Sequence, residues 1–166
     1  EDGIVKPATL RRMNRLHEVI EEIPELAPPL SIVNVVKYAK QAYYNGNPNY
    51  YSLPTSQENS FIYPYLNKSE SNSKILSGYV DSSGQFGRIT TYMKDIKTYR
   101  MEEIENDLID KIDKIFPEER YGVKITGKSL LFLKGTKYLI KNLILSLSLA
   151  ILLIAFFMAF LFRSFK

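Results

Sequence analysis

The sequence predicts an α+β domain followed by one transmembrane helix. Three observations lead to this prediction: several segments with helical spacing of apolar residues, two β-rich runs around a hairpin-type loop, and a long uncharged run near the C-terminus. The chain has 166 residues, of which 45% are hydrophobic and 24% charged. These fractions are ordinary for a packed protein, so they exclude a disordered chain and a collagen.

The first segment is predicted to be an amphipathic helix. Pro7 suits the first turn of a helix, and apolar side chains then recur at three- and four-residue spacing. The recurring residues are Leu10, Met13, Leu16, Ile20 and Ile23. We expect this helix to stop before Pro24.

Two further helices are predicted before residue 67. Ser31 is a suitable N-cap for the second, and the turn sequence at 45–48 ends it. The apolar stripe of this helix consists of Ile32, Val35, Val36, Ala39 and Tyr43. The third helix opens at Thr55, where Glu58 completes a capping box, and runs towards Leu66.

The predicted strands lie mainly in the second half of the soluble part. Ile75–Val80 and Phe86–Met93 are β-rich and are separated by a hairpin-type loop at 81–85. Tyr121–Thr126 is predicted to be a last strand, and a weak further strand is expected between Ala27 and Ser31.

The order of these elements gives the expected fold. Thr98 opens a strongly amphipathic helix, which Pro117 ends, between the hairpin and the last strand. A hairpin, a helix and a returning strand make half of a βαββαβ unit. We therefore expect a ferredoxin-like (split βαβ) sandwich that lacks its first strand and carries a helical insertion.

The most informative feature is the run Leu143–Phe162. It contains no charge, Pro or Gly, and Ser146 and Ser148 are its polar members. As a helix of 1.5 Å rise per residue it is about 30 Å long, which matches the hydrocarbon core of a bilayer. A buried core helix of a soluble protein is the alternative, but such long uncharged runs are typical of transmembrane helices.

The charges around this run are asymmetric. Residues 1–119 carry a net charge of −4, whereas the last 47 residues carry +8 and no acidic group. Basic groups that flank an apolar run indicate a membrane partner and not a nucleic acid. Arg163 and Lys166 directly follow the run and favour a cytoplasmic C-terminal end, which places residues 1–140 outside the cytoplasm.

The predicted organisation therefore has four parts. Residues 1–127 form an extracytoplasmic (periplasmic) domain and 128–142 a connecting amphipathic helix. Residues 143–162 form the transmembrane helix and 163–166 the cytoplasmic end. The small residues of the transmembrane helix either let another helix approach closely or are ordinary membrane-helix residues. They are Ser146, Ala150, Ala155 and Ala159.

The composition contains few of the residue types that enzymes commonly use for catalysis. The chain has no Cys, no Trp and one His, which excludes disulfides, thiolate metal sites and Cys nucleophiles. His17 lies beside the apolar stripe of the first helix, where a buried, hydrogen-bonded role is favoured over a metal ligand. Acidic pairs such as Glu21 and Glu22 are interpreted as solvated charges. We predict no catalytic residue, no metal and no cofactor.

The aromatic residues form the candidate binding region. Seven of the 12 tyrosines fall between residues 38 and 65, with Phe61 among them. Such rings either cover the core of the domain or grip hydrophobic and amphipathic ligands. The candidate substrate-binding residues are Tyr43, Tyr44, Tyr50, Tyr51 and Phe61.

Seven short segments occur in an order that resembles a known family. They are Asp2-Gly3-Ile4-Val5-Lys6-Pro7, Ser31-Ile32-Val33, Asn45-Gly46-Asn47-Pro48, Leu53-Pro54, Gly87-Arg88-Ile89-Thr90, Val123-Lys124-Ile125-Thr126-Gly127 and Phe162-Arg163-Ser164. Together they resemble an extracytoplasmic porter loop and the following helix of an RND (resistance-nodulation-division) superfamily permease. The MMPL, Patched and hopanoid-transporter-like exporters are the most similar branch, and the second half of the permease is more similar than the first.

The resemblance implies a function in export. Such permeases use proton flux to expel lipids, sterol-like compounds or drugs, and they cross the inner (plasma) membrane many times. The implied partners are the bilayer, a hydrophobic or lipid substrate, and the remaining transmembrane helices and porter domain of the same permease. The proton-relay residues of the family lie outside residues 1–166. Gly127 would act as a hinge between the domain and the helix, or is an ordinary loop glycine. The alternative function is a binding or sensing domain tethered by a single span.

Overall fold

The computed structural model describes residues 3–67 and 76–162 and is mainly helical, with 61% helix and 4% strand. The chain divides into two compact units, Glu1–Val123 and Lys124–Lys166. The helices of the first unit are α1 (Pro7–Glu21), α2 (Ile32–Tyr43), a 3₁₀ turn (Pro48–Tyr50), α3 (Asn59–Asn67) and α4 (Thr98–Ile115). The second unit contains α5 (Lys128–Phe162).

The helix α1 forms as its periodicity predicts. Pro7 occupies the first turn, where its missing N–H leaves no unsatisfied donor. The predicted apolar stripe is buried: Leu10, Met13, Leu16, Ile20 and Ile23 are each at most 7% exposed. The helix α4 packs against this region with Ile104, Ile112 and Ile115 buried. The amphipathic predictions for both helices are therefore confirmed.

The helix α2 begins at the predicted cap. The Ser31 hydroxyl accepts a hydrogen bond from the Val33 N–H at 3.0 Å, and the Ser31 N–H donates to Asn34 Oδ1 at 2.8 Å. Three residues of this helix, Ile32, Val33 and Val36, are fully buried. The helix packs against α1 and α3, so the core of the first unit lies among its helices.

The predicted ferredoxin-like sandwich is wrong. Within residues 3–67 and 76–162 no sheet forms, and β pairing is limited to three isolated antiparallel bridges. Two of them join residues 26–30 to residues 90–93. The Ala27 N–H donates to the Tyr92 carbonyl at 2.8 Å, but Pro28 and Pro29 follow and have no N–H to continue the ladder. The weak strand expected at 27–31 is therefore reduced to separate contacts.

The other predicted strands also differ from the structure. In the predicted strand 75–80, residue 75 lies outside the described residues and 76–77 are helical. A hairpin turn does form, because the Asp81 carboxylate accepts N–H groups from Ser83 and Phe86 at 3.0 and 2.8 Å. Val80 and Gly87 make a single bridge beside it. Residues 121–126 make no bridge to any part of the chain that the structure describes.

The second unit contains one long helix. The stretch Leu130–Phe162 of α5 is long and apolar enough to cross a membrane, and no residue of its most apolar part is buried. The predicted connecting segment 128–142 and membrane segment 143–162 belong to this one continuous helix. The predicted cytoplasmic end, 163–166, lies outside the described residues. A helix this apolar and this exposed is compatible with a membrane location.

Candidate functional site

A sharp turn after α2 brings aromatic residues back towards the helix. Asn45 and Gly46 adopt φ values of 56° and 78°, in the left-handed region that glycine and asparagine tolerate best. The Gly46 N–H donates to the Gln41 carbonyl at 2.8 Å, and the Gln41 side-chain amide donates to the Gly46 carbonyl at 3.0 Å. The chain thus reverses and enters the 3₁₀ turn Pro48–Tyr50.

Four rings in this region form a continuous aromatic cluster, which consists of Tyr43, Tyr44, Tyr50 and Phe61. Tyr43 contacts Phe61 with ring centroids 5.0 Å apart and Tyr44 with centroids 5.4 Å apart. Tyr44 and Tyr50 stack at 4.1 Å with an interplanar angle of 14°. Tyr43 is 45% exposed and Tyr50 is 38% exposed, so the cluster presents ring surface to solvent.

Tyr51 does not join this cluster. Its ring lies 4.9 Å from that of Tyr38 in an edge-on arrangement, and the Lys37 ammonium lies 5.6 Å from the Tyr51 centroid. The Asn34 side-chain amide donates to the Tyr51 hydroxyl at 3.4 Å. The structure therefore brings together four of the five predicted binding residues. The fifth, Tyr51, instead pairs with Tyr38 of α2.

A buried lysine lies beside the aromatic cluster. The side chain of Lys40 is 7% exposed, and its ammonium donates to Glu58 Oε2 at 2.9 Å. It also donates to the Ser52 hydroxyl at 3.2 Å and to the Leu53 carbonyl at 3.5 Å. An ammonium has three donors, and here all three have acceptors. The Lys40 side chain thus links α2 to residues 52–58, which follow Tyr50 and Tyr51 in the chain.

Glu58 is the matching acceptor. Besides Lys40, its carboxylate accepts the Thr55 N–H at 2.8 Å and the Tyr44 hydroxyl at 3.2 Å. The Thr55 N–H, followed by the Lys40 ammonium, lowers the pKa of Glu58 to about 2. Burial, and then the hydrogen bond to Glu58, raises the pKa of Tyr44. At neutral pH Glu58 is therefore ionised and Tyr44 is a protonated donor.

Sequence patterns marked Glu58 only as part of a capping box, and Lys40 had no predicted role. The capping box is present, since Thr55 and Glu58 exchange hydrogen bonds at 2.8 and 3.3 Å. A signal for Lys40 existed in its spacing: it follows Ile32 and Val36 at four-residue intervals on the buried face of α2. A lysine on such a face requires a counter-charge, and Glu58 supplies it.

His17 has the buried role that its position favoured. It is 3% exposed, and its Nε2 lies 2.9 Å from the Ser31 hydroxyl. Burial, assisted by the charge of Lys37, lowers the pKa of His17 to about 4, so the ring is neutral at pH 7. Among the residues that the structure describes, no group of three or more His, Cys, Asp or Glu side chains could hold a metal ion.

The residues predicted for helix packing and coupling belong to the second unit. Ser146, Ala150, Ala155 and Ala159 are exposed on α5. The Ser146 hydroxyl donates to the Leu143 carbonyl at 3.0 Å, so it is satisfied within its own helix. Gly127 has a φ of 158°, just inside the region that side chains disfavour, directly before α5. Their roles in packing and coupling stay predictions.

The aromatic cluster is suited to binding and offers little for acid–base chemistry. Its exposed rings supply apolar surface and phenolic hydroxyls, a combination that fits ligands with one apolar and one polar part. The nearby Glu58 carboxylate is held by an ammonium, a backbone N–H and a hydroxyl. It therefore supports the cluster and is poorly placed to exchange protons at neutral pH.

Comparisons with protein-family models, with curated proteins and with solved structures found no match to this chain.

Proposed function

We propose that this chain is the extracytoplasmic domain and one adjoining membrane helix of a proton-driven exporter of RND type. Its substrates would be hydrophobic or amphipathic molecules, such as lipids, sterol-like compounds or drugs. The remaining membrane helices of the exporter and its second extracytoplasmic domain would be its partners. The protein would lie in the inner (plasma) membrane as a multi-pass protein, with residues 1–140 outside the cytoplasm.

The observation that carries this proposal is the apolar surface of α5. The helix follows a domain of net negative charge, and its stretch Leu130–Phe162 exposes large apolar side chains along its length. Water is a poor solvent for such a surface, whereas lipid tails or neighbouring membrane helices would cover it. A domain attached in this way acts at or on the membrane.

The order of the seven sequence segments supports the assignment to the exporter class. They run from Asp2 to Ser164 and end in the membrane helix. Because no sheet forms in the described part of the chain, the proposal depends on these segments and on α5, and not on the architecture of the domain. The aromatic cluster supports an amphipathic substrate, since its exposed rings carry both apolar faces and hydroxyls.

The topology can be tested with cysteines, because the chain has none of its own. Ser83→Cys places a thiol at an exposed turn of the first unit, and Ser164→Cys places one beyond the apolar run. In intact cells, a membrane-impermeant maleimide is expected to label the first variant. The second should be labelled only after the membrane is opened. The reverse pattern would contradict the proposed orientation.

Export can be tested with an amphipathic fluorescent dye. Cells that lack their own exporters and produce the complete protein should accumulate less dye, and a protonophore should remove the difference. Tyr43→Ala and Tyr50→Ala should reduce export, because each removes exposed ring surface from the aromatic cluster. Tyr99→Ala is the matched control, since this tyrosine is 62% exposed on α4 and outside the cluster.

A second candidate is a binding or sensing domain tethered by a single span. It is favoured by the finding of one candidate membrane helix among the described residues. It predicts dye binding to the purified protein without any change in cellular accumulation. Export that depends on the proton gradient would therefore exclude the second candidate and support the first.

A further inference from the structure

The helix α5 is longer than a membrane is thick. Its 35 residues extend over about 52 Å at 1.5 Å per residue. A hydrocarbon core of about 30 Å takes up about 20 of them, and the uncharged run 143–162 has that length. The preceding turns, 128–142, must then cross the headgroup layer of the adjacent leaflet and extend beyond it.

This preceding part has a basic face. Lys134, Lys137 and Lys141 are exposed and follow one another at three- and four-residue spacing, which places them on one side of the helix. Tyr138 is 66% exposed and lies three residues before Lys141, on the same side. The sequence has no Asp or Glu after Glu119, so α5 itself contains no acidic side chain.

These residues lie at different distances from the hydrocarbon core of the membrane. Counted back from Leu143, Lys141 lies about 3 Å outside the hydrocarbon, Tyr138 about 8 Å and Lys137 about 9 Å. Lys134 lies about 14 Å outside. The headgroup layer is about 5 to 8 Å thick on each side. Side chains on a helix tilt towards its N-terminus, which here is away from the hydrocarbon, so Lys141 can extend its ammonium outwards to the level of the lipid phosphates. Lys137 begins about 1 Å beyond the layer, and its flexible four-carbon stem can bring its ammonium back to the same level.

We propose that Lys137, Tyr138 and Lys141 form a headgroup site, which binds the phosphate of an anionic phospholipid in the leaflet adjoining the N-terminal half of α5. The two ammonium groups supply charge complementarity, and the tyrosine supplies a hydroxyl donor and a ring suited to the interface. The inference requires that α5 crosses a membrane. It does not require that the protein is an exporter.

The test uses the full chain in phosphatidylcholine vesicles that contain spin-labelled lipid. Electron spin resonance measures the fraction of labelled lipid that is immobilised at the protein surface. We expect spin-labelled phosphatidylglycerol to be preferred over spin-labelled phosphatidylcholine by about threefold or more, since each lysine near the surface contributes a few-fold. The double variant Lys137→Gln/Lys141→Gln should lower this preference at least twofold, and the remainder is due to the basic residues at the other end of the apolar run, Arg163 and Lys166.

Two controls separate the headgroup site from other effects. Lys97→Gln/Lys114→Gln removes the same charge from exposed positions of the first unit and should keep the preference. Lys137→Arg/Lys141→Arg keeps the charge on α5 and should also keep it. The immobilised fraction of phosphatidylcholine verifies insertion of every variant, because it does not depend on lipid charge.

Several results would overturn the proposal. They are equal immobilisation of both lipids by the unmodified chain, retention of the preference by the double Gln variant, and loss of the preference in the double Arg variant. Added inorganic phosphate distinguishes a free-anion site. If phosphate abolishes the lipid preference and chloride at matched ionic strength does not, the site binds phosphate from solution and the lipid assignment is wrong.

Discussion

Glu58→Gln removes the counter-charge of a buried lysine and should destabilise the first unit. The substitution keeps the size of the side chain and an oxygen that can accept the Thr55 N–H. It leaves the Lys40 ammonium, 7% exposed, without a negative charge beside it, and it replaces Oε1, which accepts the Tyr44 hydroxyl, by an amide NH2 group. A buried charge without a compensating partner raises the free energy of the folded state.

The expected loss in the free energy of unfolding follows from the pKa of Glu58 and from the exposure of its side chain. A fall in this pKa from 4.5 to about 2 corresponds to about 3 kcal/mol if no solvent screening is included. The Glu58 side chain is 15% exposed, so screening by solvent reduces this value. We expect Glu58→Gln to lower the free energy of unfolding by about 1 to 2 kcal/mol.

The assay is urea unfolding of the full chain in detergent, followed by tyrosine fluorescence. The chain has 12 Tyr and no Trp, and the stacked pair Tyr44 and Tyr50 lies next to Glu58. With a slope of about 2 kcal/mol per molar urea, the midpoint should fall by about 0.5 to 1 M. Glu103→Gln is the matched control, because its pair with Arg100 is 59% and 42% exposed and should contribute less than about 0.5 kcal/mol.

The pH dependence gives an independent check. The folded-state pKa of Glu58 lies below its unfolded value, so its contribution is complete above about pH 5 and is lost as pH falls towards 2. The difference between the unmodified chain and Glu58→Gln should therefore shrink over that range. Equal midpoints for Glu58→Gln and Glu103→Gln at pH 7 would show that Glu58 does not stabilise the buried Lys40 charge.

Three further predictions concern His17 and two glycines. Because the folded-state pKa of His17 is lowered to about 4, the free energy of unfolding should fall by about 2 to 3 kcal/mol between pH 6.5 and 4, and His17→Gln should flatten this decline in urea titrations. Gly46→Ala should lower the free energy of unfolding by about 1 kcal/mol because of its φ of 78°, whereas Gly122→Ala, where an added methyl meets nothing within 4 Å, should have little effect on the urea midpoint. Gly127→Val, at a φ of 158° that side chains disfavour, should reduce dye export, and unchanged export by a folded variant would contradict a hinge at this position.

Elements that are specified by neighbouring residues could be predicted from the sequence alone. The three- and four-residue spacing in α1 and α4, the Ser31 cap and the uncharged run after residue 142 each lie within one helix. Helical hydrogen bonds join residues four apart, so the residues that specify such an element are also the residues that build it. The long apolar helix α5 is the extreme case, since the length and composition of the run 143–162 were enough to predict a helix there.

Strand pairing, the grouping of the rings and the burial of Lys40 depend on residues far apart in the sequence and became visible only in the folded chain. Val80 and the 86–93 segment have β propensity, but a strand needs a partner, and Pro28 and Pro29 interrupt pairing with the segment 26–30. The separation of Tyr51 from Tyr50 follows from the turn that carries both rings back onto α2. In the same way, the burial of Lys40 became possible only when the loop placed the Glu58 carboxylate 2.9 Å from its ammonium, since an unpaired charge there would be too costly to desolvate.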